Sequence, residues 1–239
     1  MRRLTILTFY LLLSINLFGQ GEKEPPTIQI VGTSKVSVKP DIGVLVIQIT
    51  SLNMNFSQSI IGLNAKTKDI SKQIMGLGFK EEEIKTTDFE IEVNRVYRRE
   101  ETIDSGYVAR QSVKVEFKNQ KETITKILNT FSKSRTDFTL NFDFKLSDDL
   151  RTKVQDELLK LAIKDAKDKA KLIAESSGVK IRRIKDINYG LTYYGGMREV
   201  QKHGEYLAMA SSPADTALIG FTPNDLLFED SVLMTWEIE

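Results

Sequence analysis

The chain has no cysteine and a single histidine among its 239 residues, and each scarcity excludes a class of chemistry. Without cysteine there is no disulfide framework, no thiolate metal site, no cysteine nucleophile and no lipid anchor on an N-terminal cysteine. The histidine, His203, lies in an irregular segment with no Gly-x-Ser-x-Gly motif near it. Because a catalytic histidine needs a nucleophile and an orienting partner within reach, we expect His203 to be an exposed loop residue.

The sequence also lacks phosphate-binding loops and carries almost no net charge. Neither Gly-x-x-x-x-Gly-Lys-Ser/Thr nor Gly-x-Gly-x-x-Gly after a predicted strand occurs, and these are the loops that hold nucleotide phosphates. The 34 Lys and Arg residues against 33 Asp and Glu give a formal charge of +1, which is no electrostatic signature of nucleic-acid binding. The acids form no oxygen-rich metal-ligand pattern. We expect no nucleic-acid partner, no cofactor and no bound metal.

Long hydrophobic runs are limited to one, near the N-terminus. Two arginines precede an apolar run from Leu4 to Phe18, and small residues suited to cleavage follow it. The run is about 15 residues, shorter than the roughly 20 that a membrane-spanning helix needs. We therefore predict an export signal at residues 1–20, a polar linker at 21–27 and one domain at 28–239. An uncleaved N-terminal anchor is the alternative, and we expect no transmembrane helix in the mature chain.

Hydrophobic periodicity predicts a mixture of strands and helices. Apolar residues alternate with polar ones in the strands and recur at steps of three and four in the helices. Hairpins outnumber βαβ crossovers, so we predict an α+β fold with a largely antiparallel sheet packed against a few helices. The predicted strands are 28–38, 42–52 (an inner strand covered on both faces), 89–93, a hairpin partner after a polar loop at 98–105, 138–146, 181–189 and 232–238; the predicted helices are 56–77, 124–131 and 147–178.

The most distinctive feature is the helical run from Ser147 to Gly178. Alanine recurs at every fourth position, so the alanines share one helix face, and their small side chains let another backbone come close. This face predicts a helix that packs tightly, either on its own sheet or on another subunit. The alanines are Ala162, Ala166, Ala170 and Ala174.

Acidic residues at two places in this helix have structural explanations. Asp148 and Asp149 fall in the first turn, where Ser147 can cap the helix and carboxylates complement the positive end of its dipole. A carboxylate-dependent hydrolase using Asp148 with a distant acid is the alternative. Asp165 and Asp168 lie four residues from lysines, the spacing of ion pairs on a solvated helix face.

A long segment at about 190–223 shows no sustained periodicity and is predicted to be a loop. Its tyrosines and methionines are of the kinds enriched at interfaces, and structureless loops of this length are often functional. We predict either an interaction loop or an ordinary surface loop whose aromatic residues fold back on the core. The candidate contact residues are Tyr189, Tyr193, Tyr194, Met197, Tyr206 and Met209.

Short motifs in a fixed order make the chain resemble the SIMPL-domain family. The bacterial members of that family include periplasmic and outer-membrane-associated immunogenic proteins and oxidative-stress-related proteins. The resemblance implies an exported α and β domain, in the periplasm or associated with the outer membrane, that assembles into oligomers. It offers no catalytic residue, because the family has no settled enzymatic activity. The motifs are Val31-Gly32, Val38-Lys39-Pro40-Asp41, Gly78, Ile84-Lys85-Thr86, Tyr97, Gly106-Tyr107-Val108-Ala109 and the run from Ala162 to Gly178.

These observations favour a non-enzymatic cell-envelope protein that acts by self-association or by binding an envelope partner, with a link to the stress response. Two alternatives stay open. One is the carboxylate-dependent hydrolase, and the other is a small-ligand-binding periplasmic protein with a pocket between sheet and helices.

Overall fold

The computed structural model describes residues 24–98, 101–190, 195–200 and 223–239. These residues form strands and helices in the interspersed order that the sequence predicts, and the α+β fold with one long helix is confirmed. The elements are β1 (Thr27–Val38), β2 (Ile42–Asn53), α1 (Phe56–Gly76), a 3-10 turn (Glu81–Glu83), β3 (Lys85–Arg98), β4 (Glu101–Lys118), α2 (Lys121–Phe131), β5 (Thr139–Lys145), α3 (Asp148–Ser177), β6 (Ile181–Asn188), β7 (Arg198–Val200) and β8 (Leu226–Ile238).

The described residues divide into two compact units, each assembled from separate stretches of the chain. Unit 1 contains residues 24–34, 157–190, 195–197 and 230–239. Unit 2 contains residues 35–98, 101–156, 198–200 and 223–229. No helix in the described residues is both long and apolar enough to cross a membrane.

Unit 2 is built on an antiparallel sheet in the order β3-β4-β2-β5. The predicted inner strand is β2, which pairs with β4 on one side and β5 on the other. One face of this strand is buried throughout, with Leu45, Ile47 and Ile49 fully inaccessible. The prediction that both faces are covered is wrong from Gln48 onward, because Gln48, Thr50 and Leu52 are exposed on the opposite face.

Two helices bury the apolar face of that sheet. Helix α1 begins at Asn55, whose side chain accepts a hydrogen bond from the Gln58 backbone N–H at 3.2 Å and so caps the helix. Burying a Leu, Ile or Phe side chain contributes about 1.5–3 kcal/mol, so this core is the main source of stability in unit 2. Its buried members from the helices are Leu63, Ile70 and Ile74 of α1 and Ile124, Ile127 and Phe131 of α2.

The hairpin of β3 and β4 confirms the predicted pairing but not the predicted polar loop at 98–105. Strand β3 continues to Arg98 and β4 begins at Glu101. Asp104, which belongs to the predicted loop, instead pairs across the strands, where its Oδ1 accepts a hydrogen bond from Arg95 Nε at 3.3 Å. Opposite charges directly across a strand pair stabilise a sheet, so polar composition alone was a poor indicator of a loop here.

The same hairpin contains two bulges, each at a residue with positive φ. Between Val93 and Arg95 the register shifts because β4 carries the extra residue, and Gly106 lies there with a φ of 86°. Between Thr87 and Glu90 the extra residue is in β3, where Asp88 has a φ of 55°. Glycine adopts this conformation without steric cost, and aspartate tolerates it better than most residues.

Unit 1 contains the first part of β1, the last part of β8, β6 and residues 157–177 of α3, with the strands in the order β1-β8-β6. Its core joins apolar strand residues to the alanine face of α3. In unit 2, β7 pairs with the first part of β8, so the segment predicted to be a loop at 190–223 contains a short strand. The buried residues of the unit 1 core are Ile30, Ala162, Ala166, Ala170, Val232, Met234 and Trp236.

Candidate functional site

The alanine face of α3 is occupied by the chain's own strand β1. A Cβ atom placed on Gly32 would lie 2.0 Å from the Ala162 carbonyl oxygen and 2.7 Å from the Ala166 Cβ, which is closer than atoms can approach. Gly32 therefore permits the contact, because any side chain there would collide with α3. All four alanines are at most 4 % exposed. The prediction that the helix packs on its own sheet is confirmed.

Asp165 reinforces this contact and is not simply a solvated residue. Its carboxylate accepts hydrogen bonds from the Thr33 backbone N–H at 2.8 Å and from Lys169 Nζ at 2.7 Å. Partial burial acts to raise the pKa of Asp165, but the hydrogen bonds from Lys169 and Thr33 outweigh it and lower the pKa below its usual value. By contrast, Asp168 and Lys164 form the predicted exposed ion pair at 2.6 Å.

The start of α3 is held by Asp41, which lies between β1 and β2 in the sequence. Asp41 accepts hydrogen bonds from the backbone N–H of Ser147 at 2.7 Å and from its hydroxyl at 2.5 Å. Ser147 Oγ in turn accepts from the Leu150 backbone N–H at 3.3 Å, so the predicted helix cap is confirmed. Burial acts to raise the pKa of Asp41, but the two bonds from Ser147 outweigh it and lower the pKa.

Asp148 and Asp149 lie in the first turn of α3, as predicted, beside this capped end. In that position carboxylates complement the helix dipole. No group of three or more His, Cys, Asp or Glu residues in the described ranges could hold a metal ion.

Of the predicted contact residues in the loop, the structure describes Tyr189 and Met197. The Tyr189 hydroxyl donates a hydrogen bond to Asp230 Oδ2 at 2.9 Å, and Asp230 is 3 % exposed at the buried start of the unit 1 part of β8. Tyr189 thus packs on the chain's own strand, and Met197 is half-buried. The interaction loop stays a prediction. Tyr193, Tyr194, Tyr206 and Met209, together with His203, lie outside the described residues.

An open groove on unit 2 has a volume of about 460 Å³. Its carboxylates are already engaged by the protein. Glu116 Oε1 accepts a hydrogen bond from Lys145 Nζ at 2.7 Å and lies 3.2 Å from Lys114 Nζ. The Glu83 carboxylate accepts a hydrogen bond from the Lys80 backbone N–H at 2.7 Å. The hydrogen bond from Lys145 is the main reason that the pKa of Glu116 is lowered. These partners leave few polar groups to orient a small ligand in the groove.

The free edge of β3 is a surface that sequence reasoning missed. Strand β3 is 14 residues long and lies at the edge of the unit 2 sheet, where β4 alone pairs with it among the described residues. Phe89, Val93 and Tyr97 are 56 %, 37 % and 71 % exposed along it. An edge strand offers unpaired backbone N–H and C=O groups that can bind another strand. The alternation of residues 89–93 predicts a strand but cannot indicate its place at an edge.

Further exposed apolar residues lie at the end of β2 and the start of α1, and β4 separates them from β3. Leu52, Met54 and Phe56 are 58 %, 74 % and 48 % exposed. The Phe56 ring contacts the Tyr107 ring edge-on at 5.4 Å, and Tyr107 is paired with Val93 of β3. Exposed apolar side chains mark an interaction surface where they form a contiguous patch.

Comparison with known proteins gives a family but no activity. The sequence model of SIMPL, described as a protein of unknown function (DUF541), matches residues 28–236. No curated protein matches the chain. Several motifs behind the resemblance now have structural explanations: Gly32 admits α3, Asp41 holds the helix start and Gly106 forms a bulge. The match spans most of the chain, and the protein belongs to the SIMPL (DUF541) family, whose function is unknown.

Proposed function

We propose that this protein is a non-enzymatic component of the cell envelope that is exported by its N-terminal segment and acts through self-association. The observation that carries the proposal is the free edge of β3, with exposed Phe89, Val93 and Tyr97 along it. Long apolar edge strands invite pairing with another chain unless they are blocked. Export rests on the basic and apolar pattern of residues 1–20.

The non-enzymatic part of the proposal is supported by the roles of the acids. Asp41 binds Ser147, Asp165 binds Thr33 and Lys169, and Glu237 binds the Arg183 guanidinium through both of its oxygens at 2.7 Å. Each of these carboxylates holds parts of the fold together, which accounts for it without a catalytic role. The family resemblance adds the expectation of a role in the stress response.

Size-exclusion chromatography with light scattering tests the proposal directly. The chain from residue 21 onward is measured across the micromolar range, and we expect a mass that is a multiple of the monomer. A monomeric mass at every concentration would contradict self-association. Binding of a different envelope partner, which is the alternative mode of action, would then be the version to pursue.

A further inference from the structure

We propose that the outer face of helix α1 in unit 2 binds the surface of a membrane that contains anionic phospholipids. The outer face is defined by Ile61, Lys68, Lys72 and Met75, and residues 132–137, which follow α2, lie beside it. This inference goes beyond self-association and does not depend on it. It gives the protein a partner of stated chemistry within the envelope, the negatively charged lipid headgroups.

The first argument is the direction in which these side chains point. Along the sequence Ile61, Lys68, Lys72 and Met75 are separated by seven, four and three residues, so they share one face of the helix. The buried side chains of α1 project from the opposite face and are Ser59, Leu63, Ile70 and Ile74. Helix α1 therefore has one side in the core of unit 2 and the outer face in solvent.

The second argument is that residues 132–137 extend the same surface. The Gln73 side-chain amide of α1 donates a hydrogen bond to Ser134 Oγ at 3.0 Å. The Asp69 carboxylate of α1 accepts a hydrogen bond from the Thr136 hydroxyl at 2.5 Å. These contacts hold the segment against the helix, so its charged residues add to those of the outer face.

The third argument is an excess of positive charge. Helix α1 and residues 132–137 contain five basic and two acidic residues, an excess of three charges, although the whole chain has a formal charge of only +1. Both acids have partners within the protein, since Asp69 binds Thr136 and Asp137 lies 3.8 Å from Lys66. Four exposed basic residues have no ion-pair partner in the part of the chain that the structure describes, and they are Lys68, Lys72, Lys133 and Arg135.

The apolar residues of the outer face favour a lipid surface over a soluble polyanion. Ile61 and Met75 are 56 % and 40 % exposed on the same face as the two lysines. The headgroup layer of an anionic membrane attracts basic residues, each of which strengthens binding by about fivefold. The acyl boundary beneath it accepts apolar side chains, and the long lysine side chains can reach back to the headgroups. A nucleic acid offers phosphates but no apolar layer that would cover Ile61 and Met75.

Co-sedimentation with lipid vesicles tests this surface. The chain from residue 21 onward is mixed with vesicles of phosphatidylglycerol and phosphatidylcholine in equal parts, and separately with vesicles of phosphatidylcholine alone. We expect binding to the anionic vesicles that weakens as salt is added, because ions screen exposed charges. We expect little binding to the neutral vesicles. Absence of binding to the anionic vesicles, or equal binding to both kinds, would overturn the inference.

Charge reversal on the outer face measures the contribution of its lysines. We expect Lys68→Glu with Lys72→Glu to weaken binding to the anionic vesicles by about thirtyfold or more. Lys153→Glu with Lys160→Glu is the matched control, because it makes the same change of net charge at exposed positions of α3. The control should leave the affinity nearly unchanged, and equal weakening in the two variants would mean that net charge alone is responsible. Circular dichroism spectra show whether each variant is folded.

A neutral variant measures the contribution of the apolar side chains. Ile61→Gln with Met75→Gln keeps every charge, and we expect it to weaken binding to the anionic vesicles by about tenfold. Leu172→Gln with Ile173→Gln is the control, since these α3 side chains are exposed to a similar degree, 65 % and 40 %. Weakening by the charge variant without any effect of Ile61→Gln and Met75→Gln would overturn the lipid surface in favour of a soluble polyanion.

The outcomes separate this inference from the proposed function. A wild-type chain that is monomeric in light scattering but binds anionic vesicles overturns self-association and supports the lipid surface. A wild-type chain that assembles without binding those vesicles leaves self-association standing and overturns the lipid surface. Selective binding to anionic vesicles that both variants of the outer face weaken, and both controls preserve, supports the assignment to α1.

Discussion

At the scale of single residues, Gly32 determines how closely a strand and a helix approach. Its backbone lies against the Ala162 carbonyl and Ala166, in a space that has no room for a methyl group. The alanine face predicted close packing, because residues at steps of four share a face. It could not identify Gly32 as the partner, since the two segments are separated by more than 120 residues of sequence and periodicity carries only local information.

We predict that Gly32→Ala destabilises unit 1 by about 2–3 kcal/mol, the upper part of the usual cost of overpacking because the added Cβ meets backbone atoms, and that Gly32→Val costs more. Urea unfolding followed by the fluorescence of Trp236 measures this, since Trp236 is the only tryptophan and lies in the same core as Ala162. Gly178→Ala is the control. Gly178 has a φ of 70° and open space around it, so only the conformational cost of about 1 kcal/mol is expected. Equal losses in Gly32→Ala and Gly178→Ala would argue against the tight contact.

Asp41 binds Ser147, a residue distant from it in the sequence, and the resulting shift of its pKa leads to a prediction about pH. Because the folded state lowers the pKa of Asp41, the carboxylate stabilises unit 2 above its ordinary pKa of 3.8, and this contribution is lost as the pH falls below that value. We expect Asp41→Asn to lower the free energy of unfolding by about 1–3 kcal/mol at neutral pH. The difference from wild type should shrink in acid.

Urea unfolding followed by circular dichroism, repeated from pH 7 to pH 3, gives the free energy of unfolding of Asp41→Asn and of wild type at each pH. Asp137→Asn is a suitable control because the side chain of Asp137 is 96 % exposed, and we expect little change in stability. A difference between Asp41→Asn and wild type that stays constant over the whole range would contradict the assigned ionic role of Asp41.

At the scale of elements, the hairpin of β3 and β4 depends on one glycine for its register. Gly106 combines a φ of 86° with close contact, because a Cβ there would lie 2.5 Å from the Asn53 carbonyl oxygen. Gly78 in the same unit has a φ of 103° but open space around it. We predict that Gly106→Ala costs about 3 kcal/mol or more and that Gly78→Ala costs about 1 kcal/mol. Thermal and urea unfolding of the two variants by circular dichroism provides the comparison, and similar losses would mean that the bulge tolerates a side chain.

Most elements could be predicted from periodicity, and the exceptions have physical reasons. Helix α1 and strand β5 have one apolar and one polar face, so their patterns were clear in the sequence. The ends of β3 and β4 were not, because charged pairs such as Arg95 and Asp104 stabilise a strand pair that extends beyond its apolar part. The position of β3 at an edge of its sheet could not be predicted from the sequence either, since strand order depends on contacts between distant segments.

At the scale of the whole molecule, a cysteine-free protein must derive its stability from its apolar cores and polar contacts alone. Here the stability comes from the core of unit 2, the alanine face of unit 1 and the hydrogen bonds of Asp41 and Asp165. Such a protein does not need an oxidising compartment to fold. Its proposed place in the envelope therefore depends on the N-terminal segment and not on disulfide chemistry.

We predict that the full chain, expressed in a Gram-negative bacterium, is found in the periplasmic fraction with a mass lower by the first 20 or so residues. Export requires an uninterrupted apolar run, so Leu11→Arg with Leu12→Arg should keep the chain in the cytoplasm at its full mass. Leu11→Val with Leu12→Val is the control, since it keeps the run apolar and should be exported and cleaved. Mass spectrometry of each fraction distinguishes the outcomes. Full-length protein in the membrane fraction would indicate an uncleaved anchor, and full-length wild-type protein in the cytoplasm would overturn the proposed export.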